Sequence, residues 1–489
     1  MEGGLAIEFW EKGWGMGVLE RQRKRFFSND WRKAMVATNP AFAPHHHGAR
    51  DARRFGRQQR PILTAMRTAM PPARHRRLLG MAAALAIVLT LAAVMTQAAQ
   101  AQTYTVIHNF TGGADGATPM AGLTIDAAGN FYGTANFGGN TGGNCGTSGC
   151  GLVYRLANRN SGWVLTPLYK FGGGNDGANP QIAYVVIASD GSLYSTTYYG
   201  GGTCDGVGCG TVFKLQPQAS PCPNALCPWM ETVLHSFNGS DGAGPVGALV
   251  FDQAGNVYGV TTAGGFRDGG TVYQLNASGG NESIIFNPYG YPGSGVIMDH
   301  AGNLYGSTFN GGNDSFGSVY ELMPSGSNWV ESDLYDFTNG SDGAYLWAGV
   351  TFDQAGNLYG ATSAGGSGQG GTVFELMPSN GNWIHSTLYS FAGPGNGRLV
   401  VGPIGNLAID AAGNLYGTTI SDGAHGYGAV FKLTQSNGSW TYTSLHDFTN
   451  GSDGGYPYST LVFDASGNLY GTASSGGTQG LGVAFEITP

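Results

Sequence analysis

Asp353-Gln-Ala-Gly-Asn-Leu-Tyr-Gly360 is the stretch whose reading decides the fold. Near-copies begin at Asp126, Asp190, Asp252, Asp299, Asp410 and Asp464, and each copy leads to a tyrosine: Tyr132, Tyr194, Tyr258, Tyr305, Tyr359, Tyr416 and Tyr470. An aspartate can accept hydrogen bonds from backbone N–H groups just ahead of it, and Gly or Asn tolerates positive φ. Asp-x-x-Gly-Asn therefore has the chemistry of a tight hairpin. The repeated aspartates read first as turn residues.

Outward from this hairpin, each unit resolves into four apolar runs of strand length. Ala348-Gly-Val-Thr-Phe-Asp353 leads into the turn and residues 357–362 lead out of it. A Gly-rich loop follows, then Gly371-Thr-Val-Phe-Glu-Leu376, then Trp383-Ile-His-Ser-Thr-Leu-Tyr-Ser-Phe391. The period-2 alternation of the last run puts its aromatic residues on one face. Four strands per unit, with roughly 55 residues in each of seven units, predict an all-β fold, a seven-bladed β-propeller of four-stranded blades. The ends carry the same message. Tyr104–Phe110 reads as a fourth strand with no preceding three, and Val483–Ile487 as a third strand with no fourth. The N-terminal strand is thus expected to complete the last blade, which closes the ring and covers an edge that would invite pairing.

The L-Y-G-T-T, G-G, G-T-V-F-x-L and F-x-x-G-S-D-G pieces of these units resemble the GloVer tandem-repeat proteins, secreted bacterial chains with varied C-terminal anchors. The resemblance covers about residues 104–489 and implies fold and compartment. It supplies no catalytic residues. Such proteins often end in a sorting segment, and this sequence stops at Pro489 just after a strand, so a freely secreted or periplasmic monomer without a membrane anchor is expected.

Charge divides the chain. Residues 1–101 hold 16 of the 23 Lys and Arg and 6 of the 31 Asp and Glu, leaving 7 cations against 25 anions beyond them. Residues 1–65 read as an irregular basic segment that a start at Met66 or Met70 would remove, taking His45-His46-His47 with it. Residues 66–101 read as a signal peptide: Arg74-His75-Arg76-Arg77, the apolar Leu78–Val94 and the small-residue site Ala99-Gln100-Ala101. A transmembrane helix is the competing reading, and the Ala-x-Ala site favours cleavage. Residues 102–489 form the propeller. So acidic a domain is a poor partner for nucleic acid.

Six cysteines fall in three equally spaced pairs: Cys145 with Cys150, Cys204 with Cys209, and Cys222 with Cys227. Behind a signal peptide they read as three disulfides. Zinc is the alternative for the first two pairs.

Candidate ligand-binding residues lie in the loops from a fourth strand to the next first strand: Asp115, Asp176, Asp241, Asp342 and Asp453 of the Gly-Ser-Asp-Gly motif and its relatives. Five aspartates on one face would focus a negative potential that could hold a cation or contact sugar hydroxyls. Turn chemistry is the plainer account. Full D-x-D-x-D-G calcium loops do not occur, so calcium is no more than one candidate cofactor and no metal ligands are assigned. Two joints lack the motif, at Pro288-Tyr-Gly-Tyr291 and Pro394-Gly-Asn-Gly-Arg398. Arg267 and Arg398 break the repeat on the same face and complete the candidates. His108, His235 and His446 share a slot with Tyr169, Tyr335 and Tyr389, and Trp163, Trp229, Trp329, Trp383 and Trp440 share another, so packing comes first for both sets. No G-x-S-x-G, H-E-x-x-H or Walker A pattern is present. The expected function is a secreted binding or interaction module for a carbohydrate, a cation or an exported protein. A propeller lyase or hydrolase working on the same face, or a purely structural envelope protein, are the alternatives.

Overall fold

The computed structural model describes residues 102–488 apart from 160–161, 203, 218–228, 277–279, 281 and 394–401. The basic segment, the signal peptide and Arg398 lie outside the described residues, and so do both Cys222 and Cys227 of the expected third disulfide. Within the described residues the chain forms seven separate four-stranded sheets. Every strand pair is antiparallel, so the fold is the expected propeller. Blades 1 to 6 span 124–170, 186–236, 243–286, 297–336, 351–392 and 408–447. Blade 7 combines Val462–Phe463, Leu469–Ala473 and Val483–Thr488 with the N-terminal strand Thr103–Asn109. That strand pairs Tyr104 with Ile487 and Val106 with Phe485, which closes the ring.

Blade 5 shows how one unit is built, from Thr351–Phe352, Leu358–Thr362, Gln369–Ser379 and Asn382–Ala392. Its hairpin is organised by Asp353. One carboxylate oxygen accepts the N–H groups of Ala355 at 2.8 Å and Asn357 at 2.9 Å, and the other accepts the Asn357 side-chain amide at 2.8 Å. Gly356 takes φ +86°, which a Cβ would strain. Tyr359 Oη donates to Glu375 on the third strand at 2.7 Å, tying the hairpin to its sheet. The same aspartate pattern recurs around Asp126, Asp299, Asp410 and Asp464. Blade 2 departs from it. There Ala188 takes the aspartate's backbone place, bonding Ser192 O at 2.8 Å, and Asp190 sits two positions later, where it accepts Ser192 N–H at 2.9 Å. Sequence similarity groups Asp190 with the other six aspartates, and the backbone separates it from them.

Each second strand meets its third through a small residue, usually glycine, that makes room for an aromatic ring. A Cβ on Gly360 would lie 2.4 Å from Phe374, and one on Gly259 would lie 2.4 Å from Tyr273. Across each joint, the phenylalanine ending one blade's outer strand packs on the third-strand ring of the next. The pairs are Phe110/Tyr154, Phe171/Phe213, Phe237/Tyr273, Phe286/Tyr320, Phe337/Phe374, Phe391/Phe431 and Phe448/Phe485, with ring centroids 5.0–5.5 Å apart. Seven apolar clusters result, each shared by two neighbouring blades, and one of them joins blade 7 to blade 1. The tryptophans pack at the same joints, Trp163 against Phe131 and Tyr470 and Trp329 against Tyr258. The first strands lie nearest the axis, where residues just ahead of them from different blades, adjacent or not, touch. Tyr184 Oη meets Thr460 Oγ1 at 3.0 Å, and Asn406 takes hydrogen bonds from Ser294 Oγ at 3.2 Å and Gly349 N at 2.7 Å.

Removing residues 102–112 takes away the strand and Phe110 that close blade 7 on blade 1, and it bares an unpaired strand edge. The unfolding free energy should fall by more than about 4 kcal/mol, with self-association on size-exclusion chromatography; unchanged melting would argue against closure. Gly360→Ala should cost about 1–3 kcal/mol in urea denaturation, because the added methyl displaces the Phe374 ring from a packed core.

Candidate functional site

The loops between second and third strands and those between successive blades emerge together, stitched by backbone bonds. Gly139 N–H donates to Gly113 O at 2.9 Å, Gly265 to Gly239 at 3.0 Å and Gly366 to Gly340 at 2.9 Å. Two of the three expected disulfides are described in this layer, Cys145–Cys150 with Cα atoms 4.8 Å apart and Cys204–Cys209 with 5.3 Å. Both reside in second-to-third-strand loops and make those loops rigid. Their sulfurs are bonded to each other, so the zinc alternative for these two pairs falls away. The third expected pair, Cys222 and Cys227, belongs to the segment outside the described residues, and its bridge stays an expectation of the sequence.

The five candidate aspartates occupy equivalent places, and the hydrogen bonds of each run to its own loop and to the strand before it. Asp115 accepts Thr111 N–H at 3.0 Å and Thr111 Oγ1 at 2.5 Å. Asp342 takes Thr338 N–H and Oγ1, both at 2.8 Å, and Gly340 N–H at 3.0 Å. Asp176 is held by Gly172 N–H at 2.6 Å, Asp241 by Asn238 N–H at 2.9 Å and Asp453 by Thr449. A ring on the preceding strand then donates to each carboxylate, which when ionised can only accept. Tyr169 reaches Asp176 at 3.1 Å and Tyr335 reaches Asp342 at 3.3 Å. His108, His235 and His446 reach Asp115, Asp241 and Asp453 at 3.2, 3.1 and 3.1 Å. The slot shared by histidine and tyrosine is therefore an aspartate-facing slot. Burial lowers the His108 and His446 pKa values even though the neighbouring aspartates favour their charged forms. Burial by itself would raise Asp453, yet hydrogen bonds from Thr449 and His446 hold it below the usual carboxylate value.

At four of the five aspartate joints a third member comes from the next blade's outer strand, and the sequence reading missed it; at the Asp115 joint the slot holds Leu165. Tyr104 stacks on His446 with centroids 3.6 Å apart and donates to Asp453 O at 2.5 Å. His385 stacks on Tyr335 at 4.3 Å. Glu231 lies close enough to Asp176 and Tyr169 to interact electrostatically with both, and Glu282 stands beside His235 and Asp241. All four sit opposite the Leu or Ile of the third strand: Glu231 on Leu215, Glu282 on Leu275, His385 on Leu376 and Tyr104 on Ile487. Aligning the outer strands on that register would have exposed the slot. Burial, reinforced by the charge of Asp176, pushes Glu231 up to about 7.

The joint between blades 3 and 4 is built differently. Asn287 Oδ1 accepts Phe266 N–H at 2.9 Å, and the Arg267 guanidinium lies over the Tyr289 ring, 3.7 Å from its centroid. Phe266 is 86% and Tyr289 69% exposed, so two aromatic side chains and a cation stand out on the loop face. Arg267 was legible as a repeat-breaking cation; its partner was not.

The model of the Gloeobacter/Verrucomicrobia repeat matches residues 92–287, 144–346 and 292–489, which together span the propeller. The chain belongs to this repeat family. No curated protein matches it. Among solved structures, the repeat protein resembles a chain assigned as an oxidoreductase (glucose dehydrogenase) from Thermus thermophilus, at 14% identity and TM-score 0.40, over 79% of this chain and 100% of that one. A gluconolactonase from Xanthomonas campestris is similar at 16% identity and TM-score 0.37, over 68% of this chain and 89% of that one.

The raised Glu231 has a thermodynamic consequence. Its folded pKa exceeds the unfolded value of 4.5, so the stability it contributes is complete below pH 4.5 and is lost as pH rises through about 7. Glu231→Gln should match the parent in thermal melts near pH 4.5 and exceed it at pH 8 by about 1 kcal/mol, the full linkage being reduced because the side chain is partly solvated.

Proposed function

We propose that this repeat protein is an extracellular propeller that binds carbohydrate through Phe266, Arg267 and Tyr289. The observation that carries the reading is the exposure of two aromatic rings, one capped by a guanidinium, side by side on the loop face. Exposed apolar rings grouped with a polar partner mark recognition surfaces. Flat rings accept the C–H faces of pyranose sugars, and a guanidinium donates in a fixed fork to their hydroxyls. The loop is held for this purpose. Gly264 N–H binds Asp268 at 3.2 Å, Gly270 N–H binds Gly264 O at 3.1 Å, and the Gly265 bond to Gly239 ties the loop to the joint before it. A fixed loop loses little entropy when a ligand arrives.

The other candidates take supporting parts. Asp115, Asp176, Asp241, Asp342 and Asp453 anchor the joints that shape the face, and their summed negative charge favours neutral over acidic glycans. Two described disulfides fit an oxidising compartment. No helix of the described residues is long and apolar enough to cross a membrane.

A glycan array followed by titration calorimetry tests the reading. Phe266→Ala and Tyr289→Ala should each weaken binding to the best neutral glycan about 5- to 10-fold, with unchanged melting because both side chains are exposed. No binding by the parent to any glycan, or equal binding by the double variant, would remove carbohydrate from consideration.

A further inference from the structure

We propose that His235, Asp241 and Glu282 form a binding site for a zinc-type divalent cation that bridges blades 2 and 3. His235 closes the outer strand of blade 2, Asp241 lies in the joint loop, and Glu282 opens the outer strand of blade 3. One ligand atom from each lies within 4.8 Å of the other two. The His235 and Asp241 atoms are already 3.1 Å apart. Metal–ligand bonds of about 2.1 Å in a tetrahedron place donors about 3.4 Å apart, so Glu282, a flexible side chain, need close by no more than about 1.4 Å.

An independent observation points to an occupant. Glu282 Oε1 is shut off from water and has no hydrogen-bond partner, which is costly for a carboxylate unless something positive meets it. The surroundings are firm. The Asp241 loop is pinned by Asn238, Gly244 N–H bonds Cys209 O at 2.9 Å, and a Cβ on Gly239 would lie 3.6 Å from Cys204 Sγ.

The chemistry selects the ion. One imidazole nitrogen with two carboxylate oxygens suits zinc, cobalt or manganese better than calcium, which prefers all-oxygen shells. Three protein ligands leave one position for water or for a ligand oxygen. None of the other joints offers this donor set among the described residues: tyrosine stands for the histidine beside Glu231, while His385 and Tyr104 stand for the glutamate at two others.

Titrating the full chain with cobalt(II) and with zinc tests the site. The parent should bind zinc at pH 7.5 with a raised unfolding midpoint, and cobalt should give the visible absorption of a low-coordinate N/O site. Glu282→Gln, which leaves the Asp241 loop intact, should weaken zinc at least tenfold and abolish the cobalt bands; His235→Gln should do the same. Parent affinity should fall as the pH drops, because protons compete with the metal for the imidazole and the carboxylates. Circular dichroism confirms that each variant is folded. Zinc binding that is equal in the parent and Glu282→Gln, including any held by His45-His46-His47, or a parent whose melting ignores zinc, would overturn the proposal.

Discussion

The structure depends on one contact made seven times, a phenylalanine at the end of each outer strand inserted against the third-strand ring of the next blade. A four-stranded sheet of this size cannot bury its own faces, so each blade must borrow a neighbour's surface. The phenylalanines of blades 1, 2 and 4 to 7 are at most 1% exposed, and that of blade 3 is half-buried. Closure follows from the same need. A linear stack would leave two faces bare, whereas the ring leaves none, and the strand exchange at Thr103–Asn109 makes the final joint a copy of the rest.

Given those contacts, the other repeated residues have assigned tasks. The glycine after the second-strand tyrosine is required for space, since the third-strand ring lies over it. The hairpin aspartate binds four or five residues into a turn and also accepts from the tyrosine hydroxyl, which in blade 5 reaches across to the third strand as well. The aspartate of the joint loop plays a similar part on the other face, aided by a histidine or tyrosine. Repetition in this protein records packing. Departure from it marks where chemistry has room: the polar slot on the outer strands of blades 2, 3, 5 and 7, and the joint where Asn287, Arg267 and Tyr289 replace the aspartate motif.

Turn chemistry, strand number, blade count, the exchanged strand and the two described disulfides were legible because each is encoded within one unit or in the phase between the chain's two ends. The spacing of Cys222 and Cys227 carries the same message as the other two pairs, and only those two are joined by described sulfurs. Asp190 misled for a local reason: a shifted aspartate in a turn of the same length looks like the motif while Ala188 holds the motif's place. The seven aspartates of the hairpins and the five of the joints could be told apart by spacing. Their partners in the next blade could not, because Glu282 and Asp241 belong to different units and nothing in either unit's pattern names the other.

The sequence by itself determined the blades and their closure, since hydrophobic alternation and hairpin residues act over a few positions and repeat from unit to unit. Only the tertiary structure decided what meets across the joints: Glu282 with His235, His385 with Tyr335, and Arg267 with Tyr289. Those meetings depend on how far each sheet is rotated against the next. That rotation is set by the interlocking of large side chains from two units at once, a property that no single repeat contains.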